Sequence, residues 1–570
     1  MLKRTLPTVL AQDLAADQYE IVIVLDGPDR DTASWLRGLR LAHRLHIVEQ
    51  PHRGLAAARN CGIRAASGNR VLLLDDDLLC SARLVRCHAE AVGDNLIAMG
   101  AVLVSADSPR TIVADWVRRS TQERMRRLAT DGPEWPRDIA LCANYSAPRQ
   151  LILSCGGFDE TFIGACEEFD IGIRLRKLGA EFRYLPDAVA HEFYVKSPDQ
   201  MVQTDCRARG ANEVRLCRKH PEFRPVSAVA RFNQGARVTR ALRYAAVRAP
   251  FSLENVLAPA FRGAEVLARA GIGRQIAVRL LEFRRGSALF RSAREQSGGW
   301  VEFRSEFAAT LPVLLYHHVG PTHRGAYPLL TVSPPRFEAQ MKWLRRRGYT
   351  AIRSSDWSAW IRGERPLPKK PVLITFDDGY ADLVQHALPV LKRHNLTATI
   401  FLPTQRIGRS NEWDSGSWTQ VPLMNREQIS EWAAQGMEFG SHSRTHPDLT
   451  ALSRDQLDDE IAGSAQDLQS LTGLRPVAFA YPYGLFNDQV RECVSRVFDL
   501  SFTTKMGVNR LADDPFVLQR LEVLPSDNEV SFASALVCGF RPVTALRTKV
   551  ALRSRIRAAF HVLSRPLLQG

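Results

Sequence analysis

Short apolar runs alternate with longer stretches of helical spacing through the first 225 residues of this chain. YEIVIVLDG, HRLHIVEQ and NRVLLLDDD read as strands, each ending at a polar or acidic cluster, while GLAAARNCGIRAASG and DIGIRLRKLG read as helices. Alternating β and α elements predict a mainly parallel sheet covered by helices. Residues 226–310 are rich in Ala, Arg and Leu without a strand signal. They read as a helical linker region, with the Ser-Gly-Gly of REQSGGW as a hinge. From LPVLLYHHVG the alternation resumes over 311–535, with strands in PVLITFDDG, MEFGSH, VAFAYPYG and LSFTTK and helices such as RDQLDDEIAGSAQDLQSLTG. The final stretch, 536–570, spaces apolar residues helically between arginines, a basic amphipathic tail.

Composition narrows the class. A length of 570 residues points to two to four domains. Hydrophobic content of 45% and charged content of 24% are those of a soluble globular protein. No stretch approaches the run of about twenty apolar residues that crosses a bilayer, and the start lacks the apolar core and cleavage site of a signal peptide. Ten cysteines without a CxxC pair fit reduced thiols, so the expected location is cytoplasmic. A net charge of +15 suits phosphorylated substrates or anionic lipid. The basic tail reads either as a solvated helix packed on the protein or as a contact with the inner membrane surface. Without an aromatic-interleaved basic groove or a zinc finger, nucleic acid is disfavoured.

Candidate chemistry sits at strand ends. Asp75, Asp76 and Asp77 follow the run VLLL; adjacent carboxylates repel one another, and a cation that neutralises them can also grip a diphosphate. Taken alone, three acidic residues equally describe a loop that caps the next helix. Asp26 ends an earlier strand, and GGFDETF, CEEFDIGIRLRKLG and PDAVAHEF follow in order. This succession resembles the family 2 glycosyltransferases of the GT-A fold over residues 1–225. The resemblance implies that Asp26 contacts the nucleotide, that Asp75 and Asp77 bind Mg or Mn and the diphosphate with Asp76 beside them, and that Glu167 or Glu168 deprotonates the acceptor hydroxyl. His191 falls where many members carry a histidine near the metal. Two departures stand out. The family's Glu-Asp pair is Glu-Glu here, and the chain begins inside what looks like the first helix. A sheet without the family's opening strand is expected to show a hydrophobic edge and a nucleotide site lacking one wall.

In the second half Asp377 and Asp378 end the strand VLITF, and His442 and His446 follow the strand MEF in GSHSRTHPDLT. Two imidazoles and a carboxylate make an open site for Zn or a similar ion, whose bound water becomes acidic. Gly440 and Pro447 frame a loop, which separates this pair from two histidines on an exposed helix face. LLYHHVG, TFDDGY, SHSRTHPDLT, FAYPYG and LQRLEV in this order resemble the polysaccharide deacetylases (NodB homology, carbohydrate esterase family 4), a distorted (β/α) barrel. By that resemblance Asp377 is the base, Asp378, His442 and His446 hold the metal, Pro482 and Tyr483 line the substrate groove, and the Tyr483 N–H faces the oxyanion. The arginine that many members carry in the Pro-Tyr motif is replaced by Ala480-Tyr481, with Arg475 nearby. No late histidine is evident in LQRLEVLPSD, which leaves His317 and His318 as acid candidates.

Together the halves imply a bifunctional enzyme. One half would use a nucleotide-sugar donor and a glycan or glycolipid acceptor, and the other would remove N-acetyl groups. Two other readings remain at this point: a deacetylase with a degenerate transferase half, and a non-catalytic glycan-binding scaffold.

Overall fold

The computed structural model describes residues 1–140, 143–321, 330–414 and 420–539. The chain divides into two compact units, Met1–Phe303 and from Arg304 onward. The basic tail lies outside the described residues from position 540. Among the described residues no helix is long and apolar enough to cross a membrane, and none of the eight cysteines whose side chains are described forms a disulfide.

In the first unit the run YEIVIVLDG forms β1 (Glu20–Asp26), paired in parallel with β2 (Arg44–Gln50). A second sheet contains β3 (Arg70–Leu73), β4 (Leu78–Cys80), β5 (Leu96–Val104), β6 (Tyr145–Pro148) and β7 (Glu181–Glu192), in the order β3-β6-β5-β7-β4. β5 and β7 are parallel, while β6 and β4 join antiparallel. The register of β5 against β7 shifts at Gly100. A Cβ there would come within 2.3 Å of the Asn144 amide, which donates to the carbonyls of Ala101 and Ala188 and locks the irregularity in place.

Among the described residues β1 and β3 each lack a strand on one edge. Residues of both strands, from Glu20 to Asp26 and from Arg70 to Leu73, line one cavity of about 1590 Å³ that also reaches Asp75, Asp76 and Asp77. The expected helical stretch after 226 packs around one long helix, Arg274–Ser297, whose Ala277 and Leu281 share a hydrophobic core with Val104 of β5 and with Met201 and Val202. Gly298 and Gly299, both with positive φ, end that helix.

The second unit builds β8 (Thr310–Tyr316), β9 (His318–Val319), β10 (Thr331–Val332), β11 (Thr350–Ile352), β12 (Pro371–Phe376), β13 (Thr399–Leu402), β14 (Glu438–Ser441), β15 (Ala478–Ala480), β16 (Leu500–Phe502), β17 (Val508–Arg510) and β18 (Leu521–Glu522). Nine of these make one curled sheet with the path β16-β15-β14-β13-β12-β8-β17, joined by β11 on β12 and β18 on β8. All its pairings are parallel except that of β17. Every residue of β12 and β13 is buried, as parallel strands covered on both faces require. The curl brings the carboxyl ends of β8, β12, β14 and β15 to one mouth, where loops can meet.

Candidate active sites

The mouth of the second unit is built from residues that leave four strand ends. Seven non-glycine residues among those described have positive φ, and four of them, Asp378, Ser443, His446 and Tyr483, lie here. Such backbone costs about 1–3 kcal/mol each and persists only where the surroundings over-determine it. The strain turns adjacent side chains in different directions. Asp378 Oδ1 stands 3.4 Å from Nε2 of His442 and 3.4 Å from Nε2 of His446. These are the only three metal-ligating side chains among the described residues whose donor atoms lie within 4.8 Å of one another, and all three are buried.

His442 donates from Nδ1 to the carbonyl of Ala480 at 2.7 Å, which leaves a lone pair on Nε2 aimed at Asp378. Burial lowers both imidazoles, but Asp378 and Asp377 carry His442 above its ordinary value. Burial and the neighbouring His442 push His446 down to about 3. Asp378 Oδ1 is buried without a hydrogen bond. A buried carboxylate oxygen facing two imidazole nitrogens is unsatisfied by protein alone and is the donor set of a zinc-like cation with an open coordination position. The residues present fit that group.

Asp377 faces a different partner. Arg520 grips it with two parallel bonds, Nη1 to Oδ1 and Nη2 to Oδ2, both 2.7 Å, and both side chains are buried. Arg520 Nε donates to the Thr503 carbonyl at 3.0 Å, which fixes the fork. Burial alone would raise the Asp377 carboxyl, but Arg520 and then His442 outweigh it and hold the group below the usual carboxylate range. Asp377 therefore stays ionised beside the histidine cluster, able to accept a proton.

Arg520 went unrecognised in the sequence, although LQRLEV was visible; an arginine inside an apolar alternating run is a buried charge that must find a partner. Arg475, the nearer candidate in sequence, pairs instead with half-exposed Asp499 at 3.0 Å. Of the two acid candidates, His318 is held by Asp382 (Nδ1–Oδ2, 3.0 Å) and stacked on Tyr380 at 3.5 Å. His317 lies within electrostatic reach of both Asp377 and Asp378. Tyr483 sets its ring edge-on to His446 at 4.6 Å and remains 40% exposed, while Pro482 is buried. Trp413, also unforeseen, stacks on the same imidazole at 4.5 Å.

The first unit places its residues more loosely. Asp26 ends β1, where its carboxylate accepts from Gln50 and from the amides of Arg53 and Gly54, each at 2.8 Å. Burial would raise it, but these bonds outweigh that and hold it below its ordinary range. Asp76 is exposed. Asp77 is pushed up to about 6 by burial, then by Asp75 and Asp76. Asp75 pairs at 3.0 Å with Arg59, a partly buried arginine that also reaches Glu167 at 3.5 Å. Arg59 thus ties the acidic triplet to the start of the helix Glu167–Lys177.

Glu167 is buried, and burial together with neighbouring Glu168 raises it to about 7; Glu168 is half-buried. The GGFDE segment is docked by Asn60, which accepts from the Phe158 amide and donates to its carbonyl. Gly157 is required there, since a Cβ would stand 2.5 Å from Asn60 Oδ1. His191 lies on β7 opposite Leu79, but neighbouring strand residues face opposite sides. It is Glu192 whose carboxyl responds to the triplet, raised to about 7 by burial and by Asp77. Its carboxylate inside PDAVAHEF, directly after His191, was the signal that could have marked it.

Residues 1–145 match the family model of glycosyl transferase family 2, and residues 364–497 match that of polysaccharide deacetylase. A Bacillus subtilis protein named "Putative polysaccharide deacetylase YxkH" is 29% identical over 241 residues, 42% of this chain and 80% of that protein. The poly-β-1,6-N-acetyl-D-glucosamine N-deacetylase of Staphylococcus epidermidis is 31% identical over 170 residues, 28% of this chain and 55% of that protein. The chain therefore spans about half the length of that second relative. A solved Streptococcus pyogenes deacetylase, PplD, in complex with acetate is 27% identical, covering 38% of this chain and 94% of its own, with a TM-score of 0.35. The chain thus carries a family 2 glycosyl transferase domain at residues 1–145 and a polysaccharide deacetylase domain at residues 364–497.

Proposed function

We propose that the first unit transfers a sugar from a nucleotide-sugar donor to a glycan or glycolipid, and that the second unit hydrolyses the N-acetyl group of an N-acetylated sugar in such a product. The observation that carries the second half is the buried Asp378–His442–His446 cluster beside an Asp377 locked by Arg520. Relatives named for poly-β-1,6-N-acetyl-D-glucosamine make a β-1,6-linked N-acetylglucosamine oligomer the first substrate to test. A divalent ion such as Zn held by Asp378, His442 and His446 would supply Lewis acidity toward the acetamide carbonyl and lower the pKa of water. Asp377 takes the proton of the attacking water as its oxygen bonds to the acetamide carbon. The Tyr483 N–H donates to the oxyanion that results. His317 donates a proton to the nitrogen as the C–N bond breaks, which releases acetate and a free amine. Pro482 and Tyr483 border the sugar.

In the first unit Asp75 and Asp77 would hold Mg or Mn and the donor diphosphate, with Asp26 at the nucleotide. Glu167 or Glu168 would remove the acceptor proton; a carboxyl raised to about 7, as Glu167 is, suits a base working near neutral pH. His191 has less support as a ligand than Glu192 on this geometry.

The test is acetate release from the oligomer and metal content of the purified chain, with and without His442→Ala. The variant should stay folded, lose its second-unit metal and fall to background. Full activity in a metal-stripped His442→Ala protein would overturn the assignment.

A further inference from the structure

Outside both sites, the first unit displays an exposed apolar surface among the described residues. The helices Ala258–Arg269 and Arg274–Ser297 form a hairpin joined at Ala270–Gly273. Its inner face is spoken for: Phe261, Ala277 and Leu281 are fully buried in one cluster, with Ala264, Ala268 and Val278 packed against it. Its outer face and tip leave Val266 at 65%, Leu267 at 52%, Ile272 at 60% and Ile276 at 61% exposure. Ile272 sits between Gly271 and Gly273, both with positive φ, so a tight glycine turn holds a large aliphatic side chain out at the tip. Large apolar side chains grouped on one exposed element mark a contact surface.

Charge decides what fits there. Between residues 237 and 279 the chain has eight arginines and two glutamates, with no aspartate or lysine. Both glutamates, Glu254 and Glu265, are buried. Arg262, Arg269, Arg274 and Arg279 flank the tip and are exposed; Arg274 shares its charge with Asp115 and Arg269 with Glu265 at 3.5 Å. The preceding helix, Arg237–Arg248, repeats the pattern with Val238 and Leu242 exposed one turn apart. A second copy would bring one positive rim against another, and interface cores are depleted in charge. An apolar tip ringed by arginine matches the acyl boundary and headgroups of an anionic bilayer.

We propose that this hairpin seats the first unit on an anionic membrane surface, with Val266, Leu267, Ile272 and Ile276 in the acyl boundary and the arginines on lipid phosphates. The contact is peripheral, and it would present the transferase to an acceptor carried in the membrane. The experiment is co-sedimentation of the full chain with phosphatidylcholine vesicles, with and without phosphatidylglycerol, at low and high salt. The parent should bind the phosphatidylglycerol vesicles and lose affinity as salt rises. Leu267→Asp with Ile272→Asp should weaken binding by about tenfold or more, with an unchanged unfolding midpoint and unchanged acetate release. Arg262→Glu with Arg279→Glu should weaken it while removing part of the salt dependence. A parent that ignores anionic vesicles overturns the proposal. So does undiminished binding by the aspartate variant, which would put the contact elsewhere, as in the basic stretch after Gly539. A parent that dimerises without binding vesicles, and whose dimer the aspartate variant abolishes, would overturn it in favour of self-association.

Discussion

Both units place acidic residues at strand ends, yet they solve the cost of those charges in opposite ways. In the deacetylase unit each carboxylate has its own answer: Asp377 an arginine fork at 2.7 Å, and Asp378 two imidazoles at 3.4 Å that point to a cation. The site is buried, strained and closed around its charges. In the transferase unit three carboxylates compete, Asp77 and Glu192 are raised to about 6 and about 7, and Arg59 bridges Asp75 to Glu167. Beside them a cavity of about 1590 Å³ separates β1 from β3. The contrast sets a site organised by its own side chains beside one whose carboxylates repel one another and share the Arg59 bridge.

The sharpest break of that contrast comes from paired substitutions. Asp377→Asn should lower deacetylation by about 10²–10⁴-fold through loss of the base and leave donor consumption unchanged. Separate substrates for the two reactions make the reading clean, because distant sites without shared partners behave additively. If Asp377→Asn also stops sugar transfer in a folded protein, the two sites are coupled and the contrast collapses.

Arg520→Met comes next. It leaves Asp377 buried and unpaired, a change worth about 3–5 kcal/mol of stability. The sign for pH follows from the depressed Asp377 carboxyl: in the parent, its stabilisation is present above the ordinary carboxylate range and is lost only as pH falls through the lowered value. Without Arg520 the carboxyl rises, so the acid limb of kcat/KM should move to higher pH. Arg520→Lys should recover part of that shift. An acid limb that does not move in Arg520→Met would remove the arginine from the account of the base.

A smaller effect is expected at Asp77. Its carboxyl is raised, so ionising it costs folding stability as pH rises from its unfolded value toward about 6. Asp77→Asn should therefore raise the unfolding midpoint more at pH 7.5 than at pH 5, at about 2–4 °C per kcal/mol. Added Mn should erase the difference by neutralising the parent carboxylates, while sugar transfer by the variant is lost. Equal midpoints at both pH values would mean that the triplet is already neutralised within the fold. The smallest change belongs to Arg475→Ala. Its ion pair joins an exposed arginine to half-exposed Asp499, which Arg362 also holds, so stability should fall by no more than about 1 kcal/mol and acetate release should stay at the parent rate, in contrast to Arg520.

What the sequence determined by itself was whatever short-range pattern controls. Apolar runs of strand length ending in Asp-Asp or followed by His-x-x-x-His place ligands at one sheet edge, because in a parallel sheet all strands end on the same side. That is why the Asp377-Asp378 pair and the His442/His446 spacing were legible as a candidate site, while their separate roles came from the resemblance to the deacetylases. Partnership across long separations was not. Arg520 is 143 residues from Asp377, Arg59 joins Asp75 and Glu167 from another helix, and Trp413 reaches His446 from a separate loop. The pairing of β7 that brings Glu192 under the influence of Asp77 also depends on strand register, which pattern leaves open by one residue. Tertiary structure decided these because a buried charge takes the partner that sheet order and curl bring within reach. Sequence shows only that a partner is needed.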